Sequence, residues 1–292
     1  MKRVAIAVLG AAAGLAAGCG GIIRTSTALQ TTVPWEGFQR IEVQVVNGRI
    51  EIASGGTEKV RISCEKSIAG ATQPEAERNL ERVELYAGAG EQPGTLLVEL
   101  RYPDELKSKS PAANVVIQVP TPCAAKVKSS NGAISVAGLE GGVTLETSNG
   151  RIHATDIKGP LSANTSNGRI EVATISGDLT VRTSNGEIIA RDVTGPCTLT
   201  TSNGAIRLTG APPPDAKVDL STTNGAIHAT LPKDWATELK LKTSNGHLRV
   251  ALGTAQLTNV QSSRNSYHAT VNGGGGTVSA ETSNGAITVD AR

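Results

Sequence analysis

Thr147-Ser148-Asn149-Gly150-Arg151-Ile152-His153-Ala154-Thr155-Asp156-Ile157 decides the fold. Its opening phrase recurs, with Asn131, Asn149, Asn167, Asn185, Asn203, Asn224, Asn245 and Asn284 each preceding a glycine. The first four steps are 18 residues (149−131, 167−149, 185−167, 203−185), the next two are 21 and the last is 39. Self-similarity at a fixed short period marks a repeat architecture. Three residues after the Asn come Ile152, Ile170, Ile188 and Ile206, and two further on come Ala154, Val172, Ala190 and Leu208. The later half of each repeat carries Leu161-x-Ala163, Leu179-x-Val181 and Cys197-x-Leu199. Spacing of two is the period of a strand with one buried face.

Asn-Gly between alternating segments is also a strong hairpin signal, so an antiparallel meander competes. A phase slip argues against it. Ile152 and Ala154 share one parity, whereas Ile157, Leu161 and Ala163 share the other. A straight strand cannot send both sets to one face. A corner between Ala154 and Ile157 can, and successive corners describe a parallel β-solenoid. The expected fold is therefore all-β, a right-handed parallel β-solenoid of about 18 residues per coil with one short N-terminal helix inserted. Stacked coils lie about 4.8 Å apart, so the Asn side chains can form an amide ladder. Glycine then permits the tight arc, and Thr165 and its equivalents suit a strand end. The alternative is that the Asn-Gly column forms a binding edge.

Of 292 residues, aromatics make up 2% and Gly 33, which fits a thin core of small side chains. A net charge of +2 gives no electrostatic reason to expect nucleic acid. Lys2 and Arg3 followed by apolar Val4 to Leu15 read as an export signal over residues 1–18. Residues 19–33 read as Cys19 and a flexible tether, small and polar in composition. Residues 34–128 form a β-rich N-terminal part. Within it, 72–83 reads as a helix, with Thr72 as N-cap, Pro74 and Glu75 in the first turn, and Ala76, Leu80 and Val83 as its apolar stripe. Asn47-Gly48 is an early copy of the repeat's punctuation. Residues 129–292 are the regular coils, with a degenerate coil expected near Asn265 and a flexible loop at Gly273 to Gly276.

Chemistry is sparse. His153 and His228 share a repeat position with Ser135, Glu171, Ile189 and Arg207, as a solvated row would. His247 and His268 stand alone. Asp156 and Asp192 occupy one coil position, two coils apart, and assemble no acid–base pair of the kind that β-helical lyases and hydrolases use. Six aromatics are too few to suggest a sugar-stacking platform. No catalytic residue, cofactor or metal site is expected. Cys64 and Cys123 are the likelier disulfide pair, since Cys197 sits at an inward repeat position.

Leu15-Ala16-Ala17-Gly18-Cys19 resembles the lipobox of bacterial lipoproteins, with Ala16 where Leu is usual. The resemblance implies a lipid-modified Cys19 as the mature N-terminus, and Gly20-Gly21, lacking Asp, favours an outer membrane where the cell has two. The alternative is ordinary signal cleavage beside an incidental Cys. Residues 38–292, through Val115 to Ser130 and repeats such as Ser130-Asn131-Gly132-Ala133-Ile134-Ser135-Val136, resemble a bacterial family of candidate adhesins of unknown function with β-strand repeats. That resemblance implies a solenoid and an envelope role and transfers no site residues. The expected partners are the membrane, through the lipid, and an envelope protein or surface glycan. Two other readings stand beside a non-enzymatic interaction surface: a glycan-active β-helix enzyme, and a periplasmic scaffold or sensor.

Overall fold

The computed structural model describes residues 14–17, 22–55 and 58–292. Cys19 and most of the export signal lie outside them. The chain divides into two compact units, Met1–Gly150 and Arg151–Arg292.

In the second unit each 18-residue repeat supplies one strand to each of two sheets. The first strand series is Ile152–Ile157, Ile170–Ile175, Ile188–Val193, Ile206–Gly210 and Ile227–Leu231. The second is Leu161–Asn164, Leu179–Arg182, Cys197–Thr200 and Lys217–Thr222. Neighbours pair in parallel and in repeat register, Ile152 beside Ile170 and Leu161 beside Leu179. Identical rows therefore stack, and Ile152, Ala154, Ile157, Leu161 and Ala163 are all buried. The corner is a single left-handed residue: Asp156, Thr174 and Asp192 have φ of 54°, 56° and 51°. That twist returns Ile157, Ile175 and Val193 to the core side, which accounts for the parity slip.

The end of this unit departs from a simple stack. Ile287–Ala291 pairs in parallel with both Ile227–Leu231 and Leu248–Ala251. Gly276–Thr282 likewise lies between Lys217–Thr222 and Thr237–Thr243. The last coil in sequence is thus inserted before the preceding one. No coil forms near Asn265. Leu257–Ser262 and Ser266–Val271 instead form an antiparallel hairpin on Thr237–Thr243, because the chain must reverse to bring Gly276 back inside. Gly273 and Gly274, at φ 88° and 81°, make that return a tight turn.

The first unit mixes parallel and antiparallel pairing. One sheet runs Gly14–Ala17, Ile23–Pro34, Lys59–Gly70, Ala112–Val119, Ile50–Ser54, Ile134–Ala137. The other runs Glu84–Ala89, Thr95–Arg101, Arg40–Val45, Ala124–Ser129, Val143–Glu146. The tether expected over 19–33 is largely strand. Ile23–Pro34 pairs antiparallel with Lys59–Gly70 over twelve residues, burying Leu29 and Val33. Its Ser/Thr-rich composition hides an alternating face that has a partner only in the fold. The helix spans Gln73–Glu81, and Thr72 Oγ1 accepts from Glu75 N at 3.3 Å. Glu75 Oε2 in turn accepts from the backbone N–H of Ala71, the residue before the cap, at 3.0 Å, tying the chain's entry to the first turn. Ile68, Leu80, Val83 and Leu106 form the small core beneath it. Leu106 comes from a 3-10 helix, Asp104–Lys109.

Candidate interaction surface

The repeated polar residues hold coil to coil. In the first unit Asn131 Nδ2 donates to Asn47 Oδ1 at 2.9 Å, and Asn149 Nδ2 to Asn131 Oδ1 at 2.7 Å. In the second, Asn185 donates to Asn167, Asn203 to Asn185 and Asn224 to Asn203 at 2.7–2.8 Å. Asn284 then donates to Asn224 and Asn245 to Asn284, repeating the inverted order of the strands. The amides run as a ladder along the turn.

Beside it runs a hydroxyl ladder that the sequence reading missed. Thr183, Thr201 and Thr222 are buried. Their Oγ1 atoms donate to the carbonyls of Gly168, Gly186 and Gly204 at 3.1, 3.0 and 3.0 Å. Spacing of 15 to 18 residues between a Thr and an acceptor glycine was the available signal. The turn glycines serve differently from the expected arc. A Cβ on Gly186 would lie 2.6 Å from the Gly168 carbonyl carbon. The column excludes side chains because the coils touch there.

The outward row is varied. Register places His153, Glu171, Ile189, Arg207 and His228 side by side. Arg191 pairs with Glu171 at 2.5 Å, while Glu187 pairs with both Arg169, at 3.5 Å, and Arg207. The Arg191 guanidinium holds the Glu171 carboxyl below the usual carboxylate range. Ile189 departs from the solvated reading and is buried. On the other sheet, His268 is not alone, since its Nε2 lies 3.1 Å from Glu238 Oε2. Thr270 Oγ1 donates to Glu238 Oε1 at 2.8 Å. His228 Nε2 lies 3.7 Å from Asp290 Oδ2, and His153 and His247 are exposed.

Asp156 and Asp192 are corner residues, suited to the left-handed region that Asp tolerates. Among the described residues no group of three or more His, Cys, Asp or Glu could hold a metal ion. Cys64, Cys123 and Cys197 are all free and buried, and burial pushes each thiol up to about 12. The expected Cys64–Cys123 bond is absent: Cys64 lies on Lys59–Gly70 of one sheet, and Cys123 just precedes Ala124–Ser129 of the other. One open concavity of about 640 Å³ lies in the first unit, lined by Pro34, Trp35, Glu36, Glu58, Lys59, Pro120 and Thr121. Trp35, which lines it, lies with its ring centroid 5.9 Å from that of Phe38. No helix among the described residues is long and apolar enough to cross a membrane.

This architecture defines a β-solenoid repeat protein of the kind whose polar columns are structural. Residues 38–290 match the Toastrack DUF4097 family, and the chain belongs to it. Three solved structures are similar to 91% of the chain. A candidate adhesin from Bacteroides fragilis is 11% identical, covered over 97% of its length, with a TM-score of 0.42. A candidate lipid-binding protein from Parabacteroides distasonis is 14% identical, covered over 96%, with a TM-score of 0.40. A candidate cell-adhesion protein from Clostridium sporogenes is 13% identical, covered over 100%, with a TM-score of 0.26. No curated protein matches the chain.

Proposed function

We propose that this chain is a non-enzymatic, lipid-anchored protein of the cell envelope that presents rigid β-coils as an adhesion or protein-interaction surface. The observation that carries the reading is the division of labour among polar residues. The repeated Asn and Thr side chains bond coil to coil, while the row that varies, with His153, Glu171, Arg207 and His228, faces outward. A fixed wall with a variable face suits recognition of a partner surface. The partner is an envelope protein or a surface glycan. The Trp35 concavity favours the glycan, because an aromatic face and nearby carboxylates match a sugar ring and its hydroxyls.

Anchoring follows from Leu15 to Cys19. A multiply acylated terminus holds firmly where a single chain does not, and the outer membrane is its place in a cell with two. Growth with a labelled fatty acid tests the anchor. Label on the native chain and none on Cys19→Ala supports it; an unlabelled native chain refutes it. Proteolysis of intact cells then separates a surface adhesin, which is cut, from a periplasm-facing scaffold, which survives.

A further inference from the structure

The fold leaves almost nothing of the expected flexible tether. With processing at Cys19, only Gly20, Gly21 and Ile22 separate the acylated residue from the strand Ile23–Pro34. Gly14–Ala17, which lies against Ile23 to Ser26, leaves with the export segment. Three residues reach at most about 11 Å even when fully extended.

The strand they lead to is pinned from its first residue. Ile23 pairs with Gly70, and the ladder continues without a register shift to Pro34 opposite Lys59. The Arg24 guanidinium donates to Ser67 Oγ at 3.0 Å and to Ser110 O at 3.1 Å. A Cβ on Gly70 would lie 2.4 Å from Ala76 N, so the helix start sits against the same end. Ile22, just outside this end, is 65% exposed, more than any other large hydrophobic among the described residues. Burial of such a side chain at the boundary of headgroups and acyl chains is favourable.

We propose that the mature first unit stands directly on the lipid bilayer, resting on the end formed by Ile22, Ala71 and Ser110, with Ile23–Pro34 upright and Trp35 held away from the membrane. The inference rests on the proposed lipid anchor at Cys19. The short link fixes which end meets the lipid. The strand itself decides against lying flat. Its exposed side chains are Ala28, Gln30, Thr32 and Pro34, which include neither a cation for headgroup phosphates nor a large apolar group. Its outer edge would also bring backbone N–H and C=O groups to lipid, which cannot pair them. Upright, its 11 steps (34−23) of about 3.3 Å hold the two ends about 36 Å apart. Trp35 N donates to Glu58 O at 3.1 Å, continuing the pairing by one residue, so Trp35 and the concavity it lines are fixed at the far end. The strand is a rigid post that lifts the concavity favouring a glycan clear of the headgroups.

The test uses the full chain, expressed with its own leader, recovered in detergent and reconstituted into phosphatidylcholine vesicles whose acyl chains are brominated near the headgroup or left plain. Intact mass reports acylation. In a Trp235→Phe background Trp35 is the sole tryptophan, and bromine should leave its emission unchanged. Ala71→Trp added to that background puts a reporter at an exposed position on the membrane-facing end, and its emission should be lost in brominated vesicles. Inserting about ten Gly and Ser residues after Gly21, a flexible coil, should restore the emission while the chain stays bound. An acylated, vesicle-bound chain whose Ala71→Trp emission survives bromine overturns the docking and leaves the anchor standing. Quenching of Trp35 overturns the upright strand, and quenching that persists with the longer link overturns the link as its cause. An unacylated chain that stays off the vesicles refutes the anchor, and the docking with it.

Discussion

Gly186→Ala tests whether the coils are held in backbone contact. An added Cβ would lie 2.6 Å from the Gly168 carbonyl carbon and 3.0 Å from Thr183 Oγ1, with the Gly168 oxygen closer still. Ordinary carbon contacts need about 3.5 Å, so one strand of backbone must retreat by about 1 Å. That backbone is pinned on both sides: Asn185 N donates to Ser166 O at 2.9 Å and Ile188 N to Ala205 O at 2.9 Å. The Thr183 hydroxyl bond to Gly168 O, at 3.1 Å, lies in the path. Overpacking of this kind costs about 1–3 kcal/mol, and one broken buried hydrogen bond adds about 1 kcal/mol. Replacing Gly lowers unfolded-state entropy and offsets about 0.4–1 kcal/mol. The net loss should be about 2–3 kcal/mol, read as a fall in the urea midpoint followed by far-ultraviolet circular dichroism. Ser221→Ala, at an exposed position, serves as the control. A Gly186→Ala protein as stable as the parent would refute the claim that the glycine column exists for close approach.

Thr201→Val keeps the shape but removes the donor to Gly186 O, and should cost about 1–2 kcal/mol in chemical denaturation by leaving that carbonyl unpaired. Asn203→Ala breaks two ladder bonds and Asn245→Ala one, so thermal melts should rank Asn203→Ala as the more damaging. Asp192→Gly relieves a left-handed corner and Asp192→Val strains it; their stabilities should separate by about 1–2 kcal/mol, with Gly the higher. The Glu42 carboxyl is held below its ordinary value of 4.5, chiefly by its hydrogen bond to Lys126. A depressed carboxylate stabilises above its unfolded pKa and loses that contribution as pH falls through the folded one. Melting temperature should therefore drop below about pH 4.5, less steeply in Glu42→Gln, as a pH series of melts would reveal.

The repeat was legible because solenoid stacking writes its spacing into sequence. Asn149 to Asn203 gave the coil length, and the parity slip at Asp156 gave the corner. Thr72 and Glu75 marked the helix start through local capping chemistry. What stayed hidden depended on partners distant in sequence. Ile23–Pro34 resembles a tether because its buried apolar positions are only Leu29 and Val33 amid Thr and Ser, and its sheet partner lies beyond residue 58. The insertion of Ile287–Ala291 between two earlier strands leaves no mark, since Asn284 has the same turn signature in either order. Glycine's role at Gly186 was misassigned for a similar reason. A tight arc and a close approach both demand Gly, and only the neighbouring coil tells them apart. Pairing of His268 with Glu238 required an antiparallel hairpin where a coil was expected.

The central claim is that anchored coils present their varied outer row to an envelope partner. A photo-crosslinking residue at Arg207 in living cells, compared between the native chain and Cys19→Ala, tests it most directly. Recovery of one envelope protein or glycan with the native chain alone is the predicted result. An unattached chain in both samples, or the same capture without Cys19, would contradict it.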